Sequence, residues 1–497
     1  MTTTAPASTS STSSSPLDGL AAAAVSAAPV LSATSGEQRA AWLEAVADRL
    51  DANSAELIAL ADEESHLGTP RLTGELARTT AQLRLFSMVV REGAYLEATI
   101  DHADASATPP HADIRRLLRP LGPVAVFAAS NFPFAFSVAG GDTASALAVG
   151  CPVIVKAHPG HPKLSRLTAS LVVSALGDAG APAGTFALIE GFEEGLALVV
   201  HPAITAVGFT GSVRGGRALY DLAVNRSSPI PFYGELGSIN PVVITASAVS
   251  ERGDSLAAGL ASSFTMGVGQ FCTKPGVVFV PADGTFDSAL VAAVGTPSSG
   301  VMLTQGMADA FASGISSLAS RDDVEVLAAA PASASSGSGS TTVLRTTAAA
   351  VLADPSALLE EHFGPTTLLV SYSSPEEALA AVGAVEGTLT ATLHSGSSEE
   401  VGPLVSALEA IAGRVLFSGW PTGVGVTWSQ QHGGPWPSTT SSLFTSVGAT
   451  AVRRWLRPVA YQDAPERALP DALKESNPLG IPRRVDGVYE LPAPALS

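Results

Sequence analysis

The chain has 497 residues, a formal net charge of −18 at neutral pH and 46% hydrophobic residues. That length exceeds one ordinary domain, so two or more are expected, with apolar side chains enough for a large core. The acidic balance argues against a nucleic-acid surface, which needs clustered basic residues, and against an anionic membrane.

Residues 1 to about 16, MTTTAPASTSSTSSSP, are Ser/Thr-rich and expected to be disordered. The first basic residue is Arg39, so the start lacks the basic region of a secretory signal. No uninterrupted apolar span long enough for a bilayer is read, because FSVAGGDTASALAVGCPVIV is broken by Asp142 and three glycines. A cytoplasmic location is therefore expected. From about Ser35 to Val90 the apolar spacing is helical. Between 120 and 235 apolar strand-like runs (GPVAVFA, CPVIVKA, TFALIEG, ITAVGFT) alternate with helical ones. That order predicts a parallel α/β sheet with helices on its faces. A second series starts near INPVVIT and runs to about residue 435, with AAAPASASSGSGSTT inside it as an expected flexible surface loop.

Two cysteines, Cys151 and Cys272, cannot form a disulfide framework or a zinc site alone, and no metal is expected. Cys272 lies in MGVGQFCTKPGVVFV, after a helix expected to begin at Asp254/Ser255 and to stop at Gly267. A thiol at such a junction can meet a substrate and backbone N–H groups that stabilise an oxyanion. The plain alternative is a small buried hydrophobe. Glu235, in FYGELGSINPVVI, is a carboxylate between apolar runs, which needs a task or a partner. Asn131, in FAASNFPFAF, sits where its amide N–H can donate to an oxyanion or simply make an Asx turn.

Taken in order, Asn-Phe-Pro, Lys156 after PVIV, GFTGS, Glu-Leu-Gly, GQFC and EEHFGP resemble the aldehyde dehydrogenase superfamily over about residues 35–460. Longer segments, among them ASNFPFAFSVAGGDTASALAVGCPVIVKAHPGHP, GQFCTKPG, GRVLFSGWPTGV, HGGPWPSTT and LRPVAYQ, resemble the NADP-dependent α-ketoglutaric semialdehyde dehydrogenases. Bacterial NADP-dependent fatty-aldehyde dehydrogenases are similar over much of the same length. The resemblance implies an α/β fold: a Rossmann-like cofactor domain over 17–235 with an oligomerisation element near 102–120, a catalytic domain over 236–435, and a return to the cofactor domain with an oligomerisation tail over 436–497. It implies a homodimer or homotetramer.

The same resemblance assigns roles. Cys272 attacks the aldehyde carbon, Asn131 and the Cys272 N–H hold the oxygen, and Glu235 activates water. Thr210, Gly211 and Ser212 of GFTGS would meet the cofactor pyrophosphate at a helix N-terminus. Glu361 and Phe363 match the pair that holds the nicotinamide ribose and ring, and Lys156 matches the lysine at the adenosine ribose. NAD-preferring relatives often carry a glutamate three residues after that lysine. Here the position is Pro159, within KAHPGHPK. That favours NADP, with NAD as the alternative, and makes Lys156 and His158 candidates to attract a 2′-phosphate. A substrate carboxylate wants an arginine, and Arg78, seven residues after Arg71 on one helix face, is the choice. The family loop Pro-Thr-Gly-Val-Glu-Val departs here to PTGVGV, with Gly425 in place of the acid and Trp428 nearby.

A thiol hydrolase or acyltransferase without nicotinamide is the reading from another class. It leaves GFTGS and EEHFGP unexplained, and no histidine lies in the cysteine loop to serve as its base.

Overall fold

The computed structural model describes residues 15–331 and 337–491. The expected disorder of the N-terminus falls mostly outside them. Ser15 and Pro16, however, begin a helix, Pro16–Ala33. Its start is a capping box: Asp18 N–H donates to Ser15 Oγ at 3.2 Å and Ser15 N–H donates to Asp18 Oδ2 at 2.8 Å. This helix is long and apolar enough, by length and composition alone, to cross a membrane. Alanine supplies much of that apolar character. Ala21, Ala24, Ala27 and Leu31 form a stripe packed against the first sheet.

That first sheet is fully parallel, in the order Phe186–Ile189, Val153–Lys156, Val124–Phe127, Ala206–Thr210, Phe232–Glu235. Its central strands are apolar on both sides because helices cover both faces. The connections run outward in opposite directions from Val124–Phe127 and Ala206–Thr210. The carboxyl ends of these two strands therefore form the switch point where ligands bind in such sheets.

The second sheet has seven strands, Glu325–Ala329, Thr342–Thr347, Thr366–Tyr372, Val277–Pro281, Val242–Ile244, Thr388–His394 and Ala412–Phe417. All its pairings are parallel except the first. Separate apolar clusters fill its two faces. The presumed flexible segment before Thr342 is partly a correction. Residues 332–336 lie outside the described residues, but Ser338–Ser340 pairs antiparallel with Ser299–Val301. Serine and glycine do not prevent a strand where a partner edge is offered.

A third sheet, of five strands, joins distant parts of the chain in the order Leu456–Gln462, Ile114–Pro120, Thr99–Asp101, Arg483–Val485, Val488–Glu490. Between the second and third sheets, the chain returns along the edge of Phe232–Glu235. Leu236 N–H donates to Ser438 O at 2.8 Å and Thr440 N–H to Gly234 O at 3.1 Å. This return covers an otherwise open strand edge and sets up the site.

Candidate active site

Cys272 lies between the short turn Met266–Gly269 and the strand Val277–Pro281. The helix before it starts earlier than expected, at Ala246, with Thr245 Oγ1 accepting from Ala248 N–H at 3.2 Å. The expected cap at Asp254/Ser255 instead follows a kink at Arg252, whose guanidinium is anchored to Ser395 O at 2.9 Å. Gly269 takes a left-handed φ of 65°, and a Cβ there would sit 2.2 Å from Gly364 O. Only glycine lets the cysteine loop come this close to the Glu361–Phe363 loop.

Asn240, fully buried, holds the loop from below. Its Nδ2 donates to Ser238 O at 3.0 Å, Cys272 O at 2.8 Å and Lys274 O at 2.9 Å. Two residues past the cysteine, the buried Lys274 Nζ donates to His362 O and Thr366 O, each at 3.0 Å. The cysteine loop and the Glu361 loop are thereby one unit. Asn131, buried beyond the end of the strand Val124–Phe127, uses one Nδ2 hydrogen on Gln270 O at 3.1 Å. Its second amide hydrogen is available to a substrate oxygen.

Glu235 ends the edge strand of the first sheet and is buried. His432 Nε2 lies 2.8 Å from its Oε1, and Ser446 Oγ donates to its Oε2. His432 Nε2 is also 3.6 Å from Cys272 Sγ. The reactive atoms of Glu235, Cys272 and His432 all lie within 4.8 Å of one another. Because His432 Nδ1 is buried without a partner, the ring proton is assigned to Nε2, facing the carboxylate. Burial pushes the Glu235 carboxyl up. The His432 ring, with hydrogen bonds from His432, Ser446 and Cys272, outweighs that and holds it below the ordinary value. Burial, reinforced by the neighbouring Glu235, pushes the Cys272 thiol well above the ordinary cysteine range. The resting pair is thus a thiol beside a carboxylate, so attack requires the thiol proton to move to this cluster.

His432 is the residue that sequence reasoning missed. It lies 160 positions from Cys272. HGGPWPSTT marks the segment in the sequence but gives no hint of the partner. The return along the first sheet delivers both His432 and Ser446, and Ser446 N–H donates to His432 O at 2.9 Å.

The cofactor candidates gather at the switch point. Thr210 pairs in register with Glu235, and Lys156 ends the strand next to Val124–Phe127. Two expectations need correction. Gly211 N–H is taken by Glu235 O at 3.0 Å, and Ser212 Oγ caps its own helix at Gly215 N–H, 3.2 Å. The donors left for an anion are therefore the N–H groups of Ser212, Val213 and Arg214. His158 brings no charge to a phosphate. Burial, with His161 and Lys156 nearby, pushes its pKa down to about 3, and its Nδ1 accepts from Gly160 N–H at 3.0 Å. Glu361 Oε2 accepts from Ser238 N–H at 3.1 Å. Burial pushes its carboxyl up to about 7, partly offset by Lys274. Phe363 is half-buried on the same loop. A free helix N-terminus, a strand-end lysine and a carboxylate near the cysteine fit a nicotinamide dinucleotide.

Arg78 belongs to the helix Thr69–Glu92. Its guanidinium packs over Phe136 at 5.4 Å, and that ring packs at 6.1 Å against His432. Its Nε donates to Val424 O at 3.3 Å.

Comparison with known proteins agrees with this arrangement. The description "Aldehyde dehydrogenase family" matches residues 2–442. The chain is 48% identical over 460 residues to "Alpha-ketoglutaric semialdehyde dehydrogenase 2" of Azospirillum brasilense, covering 91% of this chain and 87% of that one. It is 41% identical over 461 residues to "Alpha-ketoglutaric semialdehyde dehydrogenase" of Acinetobacter baylyi, covering 92% and 88%. Among solved structures, aldehyde dehydrogenase 21 from Physcomitrella patens superposes with a TM-score of 0.75 at 23% identity, covering 90% of this chain and 89% of that one. That last likeness concerns the fold alone. The match over residues 2–442 and the identity to these two relatives place this chain in the aldehyde dehydrogenase family, as an NAD(P)-dependent enzyme that oxidises aldehydes.

Proposed function

We propose that this enzyme oxidises α-ketoglutaric semialdehyde to α-ketoglutarate with NADP. The observation that carries the reading is the 48% and 41% identity, over nine-tenths of the chain, to enzymes named for that substrate. The arginine beside Cys272 supports it, because an oxo-acid end needs a cation. NADP is supported by Lys156, which lacks a neighbouring acid at Pro159. The free thiol of Cys272 suits a reducing compartment, so the cytoplasm is proposed as the location. A homo-oligomer is proposed from the third sheet, whose outermost strand exposes Val488 and Tyr489.

In the proposed reaction, the Cys272 thiol loses its proton to the Glu235–His432 pair and its sulfur attacks the aldehyde carbon. The resulting thiohemiacetal oxygen accepts from Asn131 Nδ2 and the Cys272 N–H. The bound dinucleotide supplies the hydride acceptor for that carbon. The thiol proton passes from the pair to solvent, and once the thioester has formed Glu235, ionised again and held so by His432 and Ser446, takes a proton from water as the water oxygen attacks the acyl carbon. Collapse releases the carboxylic acid and returns the sulfur to Cys272. Glu361 would hold the nicotinamide ribose, and Phe363 would pack on the ring.

The test is kcat/KM for α-ketoglutaric semialdehyde, succinic semialdehyde and decanal, each with NADP and NAD. The reading requires α-ketoglutaric semialdehyde with NADP to lead. A lead for decanal would assign the enzyme to fatty aldehydes instead.

A further inference from the structure

Three arginines crowd the side of the site away from the cofactor groove. Arg71 packs over Phe132 at 5.1 Å and Phe271 at 4.6 Å, and its Nη2 donates to Asn131 O at 2.5 Å. Arg78 packs over Phe132 at 6.0 Å as well as over Phe136. Arg414 arrives from the other side, on the last strand of the second sheet, Ala412–Phe417. Its Nη2 donates to Pro421 O at 2.8 Å, and both Nη atoms donate to Gly423 O at 3.2 Å.

Arg78 and Arg414 are thus bonded to consecutive carbonyls, Val424 O and Gly423 O. That peptide is itself tied to the nucleophile loop, since Gly423 N–H donates to Thr273 Oγ1 at 3.3 Å. The two guanidiniums therefore bracket one short loop beside Cys272. Both keep donors that nothing in the protein meets. Arg78 Nη1 and Arg414 Nε are buried without an acceptor, as is Arg71 Nη1. The nearby carboxylate, Glu75, gives its Oε1 to the N–H groups of Phe134 and Ala135, at 2.8 and 3.0 Å. Burial pushes all three guanidiniums down from the ordinary arginine value. Buried cations with idle donors are costly unless an anion completes them.

We propose that Arg414 is a specificity residue that, together with Arg78, reads a 2-oxo acid end on the aldehyde. The donor chemistry divides the task. Arg78 Nη1 offers two hydrogens on a charged fork, which suits a carboxylate. Arg414 Nε offers one hydrogen, which suits the single ketone oxygen next to that carboxylate. This assignment rests on the substrate reading above and adds a discrimination that the carboxylate alone does not give.

The experiment compares three aldehydes of equal chain length: α-ketoglutaric semialdehyde, 5-oxopentanoate, which lacks the ketone, and pentanal, which lacks both groups. Parent, Arg414→Met, Arg414→Lys and Arg78→Met proteins are assayed for kcat/KM. The parent should favour the ketone-bearing acid over 5-oxopentanoate by about tenfold, as for a site built to hydrogen-bond a substrate oxygen. Both Arg414 variants should erase that preference while changing 5-oxopentanoate less than about threefold. Arg78→Met should weaken both acids and spare pentanal. If Arg414→Met does not fold, Arg414→Lys, which keeps a donor for Pro421 and Gly423, carries the test. Equal losses on all three aldehydes, or an intact ketone preference in the Arg414 variants, would overturn the assignment with the substrate reading still standing. A parent that prefers pentanal to both acids would overturn the substrate reading and the assignment with it.

Discussion

Glu235 and His432, 197 positions apart, meet at 2.8 Å through Oε1 and Nε2 in a buried pocket beside Cys272. The contact joins the last residue of an edge strand to a segment that returns from the second sheet. In the proposed reaction it makes the base a pair, since the ring and Ser446 together hold the buried carboxyl below its ordinary value. Replacing His432 by Ala removes the ring whose charge and hydrogen bond hold the Glu235 pKa down most, so that pKa should rise. The base form is then lost at a higher pH than in the parent. The acid limb of the kcat profile should therefore move upward in pH, with kcat near neutrality falling by roughly tenfold or more. An acid limb that stays in place would show that His432 does not tune Glu235.

Glu235→Gln keeps the shape and removes the base. Thioester hydrolysis should slow by roughly a hundredfold or more, the usual scale of general-base help, while the first hydride transfer is much less affected. Rapid mixing should show a burst of reduced cofactor followed by a slow steady state.

Cys272→Ala should abolish oxidation of every aldehyde and leave the melting temperature close to the parent's. Cys151→Ala should leave kcat unchanged. That thiol is fully buried and donates to Trp455 O at 3.5 Å, so a reagent does not reach it, whereas Cys272 is partly exposed. Labelling with a thiol reagent at neutral pH should find Cys272 and spare Cys151.

For the cofactor, Lys156→Ala should raise KM for NADP by roughly tenfold, the loss of one charge-assisted contact, and raise KM for NAD much less. His158→Gln should alter neither by much, because the ring is neutral. Equal effects of Lys156→Ala on both cofactors would remove the phosphate role.

Asn240 ties Ser238, Cys272 and Lys274 together through three donated bonds. Asn240→Ala strands buried carbonyls and should cost about 3 kcal/mol of stability, read as a lower denaturation midpoint. Gly269→Ala meets the Gly364 carbonyl and should displace the cysteine loop. Its loss of kcat should exceed its loss of stability.

Stability should fall on acidification through buried histidines. His158 and His394 are pushed down by burial, to about 3 and about 4. Their folded values lie below the unfolded value near 6.5. Their neutral forms therefore contribute stability above pH 6.5 that is lost as pH falls toward 4. The melting temperature of a His158→Gln, His394→Gln protein should decline less between pH 6.5 and 4.5 than that of the parent.

Much of this was determined by the sequence alone. The alternation of apolar runs with helical periodicity from residue 120 to 235 is a local property, and it forms the parallel sheet as read. Cys272, Glu235 and Asn131 stand out as candidates because each lies at the border of an apolar run, in segments with glycine or proline, and Lys156 through the resemblance of its segment. Other features depended on tertiary structure. Whether a backbone donor is free depends on what lies opposite, so Gly211 is occupied although it stands at a helix start. The charge of His158 depends on how deeply its neighbours bury it. The helical turn that begins at Ala246, ahead of the kink at Arg252, and the strand at Ser338–Ser340 are imposed by partners that local propensity does not contain. His432 and Ser446 reach Glu235 only because the chain returns along an edge strand, and Arg414 comes to the site from the last strand of the second sheet. No spacing rule encodes a contact across 160 residues, since it exists only after both sheets have packed.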